Sequence, residues 1–277
     1  MLLSDSDSYC PMSEYWRLLE TGVSSGVFNM QMDSMLLEAV AAGRSAPVLR
    51  FYKWAPPAIS LGRNQSLERE LDLEKVNAAK LDVVTRVTGG RAVLHWDELT
   101  YSIIVPEGDS VLGESREITY REIGKALICG LHLFGITADL NRKSTLSSQL
   151  STAKPVRSKP PCFASTAKWE ITYRGRKLVG SAQRRIRGAI LQHGSILIGP
   201  EHRFLNELLN PPRKSVVHSD ICLQEIVGGR IDPLDLLVCI RRGFRESMQM
   251  ELIEDVLSPI EKAEIDSRCC YVSKRVA

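Results

Sequence analysis

A cysteine and a lysine that together suit acyl transfer lie close in this chain: Cys162, preceded by Pro160 and Pro161, and Lys177. A thiolate is a strong, soft nucleophile, and a nearby ammonium stabilises the charge that develops on a carbonyl oxygen. Between them Trp169, Ile171 and Tyr173 alternate with polar residues, and Lys177-Leu178-Val179 follow the turn Arg174-Gly175-Arg176. Two alternating runs joined by a short glycine-containing turn predict a β-hairpin. Such a hairpin brings thiol and amine to one sheet edge, and the small run Gly180-Ser181-Ala182 lets a ligand approach the backbone.

The elements that must position these residues follow from the rest of the chain. Its 277 residues, 44% hydrophobic and 25% charged, are ordinary for a globular protein with a sizeable core. Helical patterns run from Tyr15-Trp16-Arg17-Leu18-Leu19 to Met35–Val40, broken at Gly22 to Gly26, and predict two helices flanking a turn. In the second of them Asp33 is expected to face away from the apolar Met32, Met35 and Leu36. Strands are predicted over Val48–Trp54, Leu81–Val87, Thr100–Val105 and Ala189–Ile198, and helices over Tyr120–Phe134 and Leu234–Met250. Gly89 and Gly90 close the second of these strand-like stretches at Thr88-Gly89-Gly90-Arg91; paired glycines expose backbone N–H groups to an anion or carbonyl oxygen, or simply make a hairpin turn. The polar stretch from Ala138 to Pro161, ahead of Cys162, is long enough to predict a loop that gates substrate.

The formal net charge of +3 does not indicate a nucleic-acid partner. No apolar run approaches the ~20 residues that span a bilayer, and the start lacks the pattern of a signal peptide, so the expectation is a cytoplasmic protein with no membrane partner. Seven cysteines without CxxC spacing argue for reduced thiols rather than a disulfide framework or a zinc site. The expected organisation is a flexible N-terminus over 1–14, one catalytic domain over 15–257 and a C-terminal helical tail over 258–277.

Several short stretches recur in one order: Asn29-Met30 with Asp33; Trp54-Ala55-Pro56-Pro57 through Leu61-Gly62-Arg63-Asn64-Gln65; Arg86 through His95; Glu98-Leu99-Thr100-Tyr101-Ser102; Cys162-Phe163; Lys177 with Gly180-Ser181-Ala182-Gln183; and Gln192-His193-Gly194-Ser195-Ile196. In this order the set resembles the biotin/lipoate protein ligase and transferase family, and within it the cysteine-dependent octanoyltransferases. The resemblance runs from about Tyr15 to about Pro259. One departure is Thr85-Arg86, where the family more often has two arginines before the glycines.

The resemblance implies an α/β (α+β) fold, a mixed, largely antiparallel β-sheet flanked by helices, with an acyl tunnel beside the glycine pair. It implies Cys162 as nucleophile and Lys177 as the group on the acyl carbonyl. Gly89, Gly90, Gly180, Ser181 and Ala182 then line the acyl and carbonyl site, and Arg86 and Arg91 face the carrier's phosphopantetheine or the acceptor's acidic surface. His95 either shapes the pocket, helps proton transfer or is a satisfied structural histidine; His193 is read as structural. The implied reaction moves octanoyl from octanoyl-acyl carrier protein through a Cys162 thioester to a lysine of a lipoyl-type domain, the glycine cleavage H protein or a 2-oxoacid dehydrogenase E2, with no cofactor, ATP or metal. The alternatives are an ATP-dependent lipoate-protein ligase, an octanoyl amidotransferase between lipoyl domains, and a non-catalytic acyl-binding protein on the same scaffold.

Overall fold

The computed structural model describes residues 15–141, 169–212 and 219–276, with side chains as far as residue 270. In chain order the elements are β1 (Tyr15–Ser24), α1 (Gly26–Ala41), β2 (Val48–Trp54), β3 (Ala58–Gly62), α2 (Leu67–Glu70), α3 (Leu73–Ala78), β4 (Asp82–Arg86), β5 (Val93–His95), β6 (Glu98–Pro106) and α4 (Arg116–Leu133). They continue with β7 (Asp139–Leu140), β8 (Ile171–Tyr173), β9 (Arg176–Ile186), β10 (Ala189–Leu197), a 3₁₀ turn over Glu201–Phe204, α5 (Leu205–Leu208), α6 (Leu223–Val227), α7 (Pro233–Met248), β11 (Glu251–Asp255) and α8 (Pro259–Val276).

Helix starts follow local chemistry. Ser25 Oγ accepts from the Phe28 N–H at the head of α1, and Ser115 Oγ accepts from the Ile118 N–H at the head of α4. Asp232 caps α7 ahead of Pro233, whose missing N–H costs nothing at that position.

Eight strands form one mixed sheet in the order β11-β1-β2-β6-β10-β9-β8-β7. β1 runs parallel to both β11 and β2, while the remaining neighbours pair antiparallel. A second sheet, β4-β3-β5, carries the segment with the glycine pair. Both faces of the large sheet are covered. On one side Leu49, Phe51, Tyr101, Ile103 and Ile190 pack on α4 and α7 through Ile123, Leu127, Ile240 and Phe244. On the other, Leu19, Val48, Ile104 and Leu191 pack on α1 through Met32, Met35 and Leu36, with Ile265 of α8 in the same cluster. β10, at the centre, is buried along its whole length.

The mixed, largely antiparallel sheet is as expected, and five differences are local. Residues 15–24 form a strand, not a helix, because Leu18 enters one core and Leu19 the other, so a strand buried on both faces loses its alternation. α1 is continuous from Gly26, with its start fixed by Ser25. β11 joins the sheet edge beside β1, where no strand was expected. The glycine pair makes no hairpin: β4 and β5 both pair with β3, so residues 87–92 cross over the end of that strand. Asp33, expected on an outward face, is 1% exposed because it neutralises a buried arginine.

Candidate active site at the junction of the two sheets

The β8–β9 hairpin is present, closed by Arg174 and Gly175, both with positive φ, the geometry of a tight two-residue turn. It borders a cavity lined by Lys177, Gly180, Ser181 and Ala182 of β9 and by Glu170 just ahead of β8. Met30 of α1 and Tyr52 and Trp54 of β2 supply an apolar wall, and Gly180, Ser181, Ala182 and Gly194 leave the β9–β10 side open. A Cβ at Gly194 would lie 2.6 Å from the Gly180 carbonyl oxygen and 2.8 Å from the Tyr101 ring, so this position admits only glycine without a shift of backbone.

Lys177 lines the cavity, is 2% exposed, and pairs through Nζ with the Glu170 carboxylate. Its backbone is fixed on the side away from β8: Lys177 N–H donates to the Ser219 carbonyl at 2.8 Å, and Ile221 N–H to the Lys177 carbonyl at 2.9 Å. Opposite stands a buried polar network. Glu98 Oε1 accepts from Thr100 (2.6 Å) and Ser195 (2.7 Å) and contacts His95 Nδ1 (2.8 Å). His95 Nε2 bonds the Ser60 hydroxyl at 2.7 Å, and its ring stacks on Trp54 with centroids 3.9 Å apart. Burial pushes Glu98 up, but His95, Thr100 and Ser195 outweigh it and hold the carboxyl below its ordinary value. Its Oε2 has no hydrogen-bond partner among the described residues.

The glycine segment is held from beneath. The Arg86 guanidinium donates to the carbonyls of Ser60 (2.7 Å), Gly89 (3.0 Å) and Arg91 (2.8 Å), and the Thr88 hydroxyl bonds His193 Nε2 at 2.7 Å. Gly90 takes φ +103°, and its carbonyl lies where a Cβ on Gly62 would stand. His193 in turn meets Asp33 at 3.0 Å, and Asp33 accepts from Arg50, Tyr52 and Ser102. Burial raises the Asp33 carboxyl, yet the bonds from His193 and the charge of Arg50 hold it below the ordinary range; burial lowers His193 against the pull of Asp33.

Of the residues singled out in the sequence, the cavity therefore gathers Lys177, Arg86, His95, Gly180, Ser181 and Ala182. Gly89, Gly90 and Arg91 stand outside its lining, in the crossing segment that Arg86 pins from within. Cys162, and nearly all of the stretch expected to gate substrate, lie outside the described residues. Glu170 was not anticipated, although its place two residues before Thr172, which pairs with Lys177, put it on the lysine's face. Ser60, Glu98 and Ser195 were read only as parts of strands or motifs, because their bonds join residues far apart in sequence.

The site is thus a partly apolar cavity beside a mixed sheet, with small residues on one wall and a buried, paired amine in its lining. The chain belongs to the lipoyl protein ligase A/B catalytic domain family, whose model matches residues 25–233. It is 38% identical over 263 residues to the octanoyltransferase LipM of Moorella thermoacetica, covering 91% of this chain and 93% of that one. It is 36% identical over 256 residues to the octanoyltransferase LipM of Clostridioides difficile, covering 89% and 92%. Among solved structures, a lipoate-protein ligase A bound with ATP superposes with a TM-score of 0.72 at 21% identity, over 94% of this chain and 95% of that one. A bipartite lipoate protein ligase from the Thermoplasma acidophilum lipoylation system, described together with its E2 lipoyl domain, gives 0.71 at 20% identity, over 94% and 92%. The protein is an acyltransferase, and its chemistry is octanoyl transfer in protein lipoylation.

Proposed function

We propose that the protein takes an octanoyl group from octanoyl-acyl carrier protein onto Cys162 and passes it to the ε-amine of one lysine on a lipoyl-type domain, the glycine cleavage H protein. The observation that carries this reading is the placement of Lys177, buried and paired, on the same wall as Gly180, Ser181 and Ala182. A cation there faces the carbonyl end of an acyl chain lying against Met30, Tyr52 and Trp54.

In the first step the Cys162 thiolate attacks the thioester carbonyl, and the carrier's pantetheine thiolate leaves with a proton from solvent. In the second, the acceptor amine attacks the Cys162 thioester, loses a proton, and Cys162 departs as thiolate. Thioester exchange is close to thermoneutral, whereas amide formation is downhill, so the donor supplies the activation and no ATP is consumed. Lys177 stabilises the oxyanion of both tetrahedral intermediates. Gly89, Gly90 and Arg91 form the rim facing the two protein partners, with Arg86 shaping that rim from inside. A cytoplasmic location is part of this reading. No helix among the described residues is long and apolar enough to cross a membrane.

The test is a transfer assay with octanoyl-acyl carrier protein and purified H protein, without ATP, read by the mass of the acceptor. The acceptor should gain one octanoyl group while an equal amount of carrier thiol appears. Labelling that occurs only with ATP and a free acid would replace this reading by a ligase. Labelling that occurs only from an octanoylated lipoyl domain would replace it by an amidotransferase.

A further inference from the structure

Glu170 is the one carboxylate among the described residues lining the cavity, and its partner is the Lys177 ammonium. Both ends of the pair are held by backbone. Trp169, with φ +69°, donates its N–H to the Asn141 carbonyl at 2.7 Å, and Asn141 N–H donates to the Glu170 carbonyl at 2.8 Å, which ties Glu170 to the end of β7. Lys177 is tied to residues 219–221 in the same way. In the hairpin Thr172 pairs with Lys177, and the register slips between Ile171 and Thr172. Glu170 is therefore the diagonal neighbour of Lys177 on one face, within reach of two long side chains.

No other described group competes for this role. Asp220, bridged to Lys177 through backbone, turns its carboxylate to Arg203 at 2.7 Å and His202 at 3.4 Å. The remaining titratable groups at the cavity are Arg86, His95 and His193, with Glu98 on His95 and Asp33 on His193; Tyr52 donates to Asp33. The pair is enclosed: Lys177 is 2% and Glu170 9% exposed, so the direction of the amine is set by the carboxylate beside it.

We propose that Glu170 is a positioning residue for acyl transfer: its carboxylate fixes the Lys177 side chain and keeps the ammonium aimed at the acyl carbonyl through both half-reactions. This rests on the reading of Lys177 as the oxyanion-stabilising group. Glu170 touches neither thioester, and its effect passes through the lysine.

The experiment measures single-turnover acylation by octanoyl-acyl carrier protein for the wild type, Glu170→Gln, Glu170→Asp and Lys177→Met, with folding checked by thermal melting. Glu170→Gln should lower the rate by about tenfold or more with the donor KM nearly unchanged, because a misaimed amine leaves donor binding intact. Glu170→Asp keeps the charge but shortens the reach, so its rate should fall as well, by less than that of Glu170→Gln. A Glu170→Gln variant with wild-type rate, beside an inactive Lys177→Met, would overturn the proposal and leave the lysine's role standing. Wild-type rates in Lys177→Met would instead remove the reading on which it rests. Should Glu170→Gln fail to fold, Glu170→Asp decides: an unchanged rate contradicts the proposal.

Discussion

Asp33 joins four elements at one point: its own α1, Arg50 and Tyr52 of β2, Ser102 of β6 and His193 of β10. Arg50 is fully buried, with Asn29 Oδ1 accepting its second Nη at 2.7 Å. Removing one partner of such a pair leaves an uncompensated charge, so Asp33→Ala should cost about 3–5 kcal/mol in urea unfolding. A loss below about 1 kcal/mol would show that the pair is not organised as described. Asn29 and Asp33 sit one turn apart on a helix whose neighbours are apolar, which is the signal that a buried polar stripe was present; the apolar spacing of Met32, Met35 and Leu36 masked it. Lys177→Met leaves the cavity shape but removes the cation proposed to face the acyl carbonyl. It should lower the transfer rate by roughly 10²–10³-fold, as loss of one oxyanion donor does elsewhere, and an unaltered rate would exclude that role.

Two glycine seams separate the site from its support. At the β9–β10 seam Gly194 faces the Gly180 carbonyl and Tyr101. Gly194→Ala should therefore reduce both stability, by about 1–3 kcal/mol, and transfer activity, because the strands forming the cavity wall must part. At the α4–α7 seam a Cβ on Gly130 would lie 2.6 Å from Ile240 Cα, on the far face of the sheet. Gly130→Ala should lower the melting temperature to a similar degree yet leave the rate of the folded fraction intact, a contrast that a combined melt and activity assay reads directly. Strands β2, β6 and β10, the β8–β9 hairpin and helices α4 and α7 were legible because their apolar spacing matches one period. β1 was not, since Leu18 and Leu19 serve opposite cores, and β11, a mostly exposed edge of sequence Glu-Leu-Ile-Glu-Asp, carries almost no apolar pattern. The Glu98–His95–Ser60 network was illegible for a different reason: tertiary bonds such as Ser195 to Glu98 span 97 residues and leave no spacing to read.

Across the whole molecule, two features are open to solution measurement: acid stability and the covalent intermediate. Arg203 pairs with Asp220 at 2.7 Å and with Glu225 at 2.7 Å, joining the 3₁₀ turn to the segment behind Lys177. Hydrogen bonding to Arg203 drives Glu225 down to about 2 from an ordinary 4.5, and Asp220 is lowered as well, its burial outweighed by His202 and Arg203. Between those two values the unfolded chain binds a proton at Glu225 that the native chain does not, so stability is full above about 4.5 and falls as pH drops toward 2. Glu225→Gln should flatten the fall in melting temperature over that acid window; an equally steep fall would place the acid sensitivity elsewhere. The proposed transfer runs through a thioester on Cys162, and intact-protein mass spectrometry after mixing the chain with octanoyl-acyl carrier protein, without ATP, detects that intermediate. A single octanoyl adduct that hydroxylamine removes and that Cys162→Ser does not form is the predicted result. An unmodified wild-type chain that still octanoylates its acceptor, or an adduct that persists in Cys162→Ser, would contradict it.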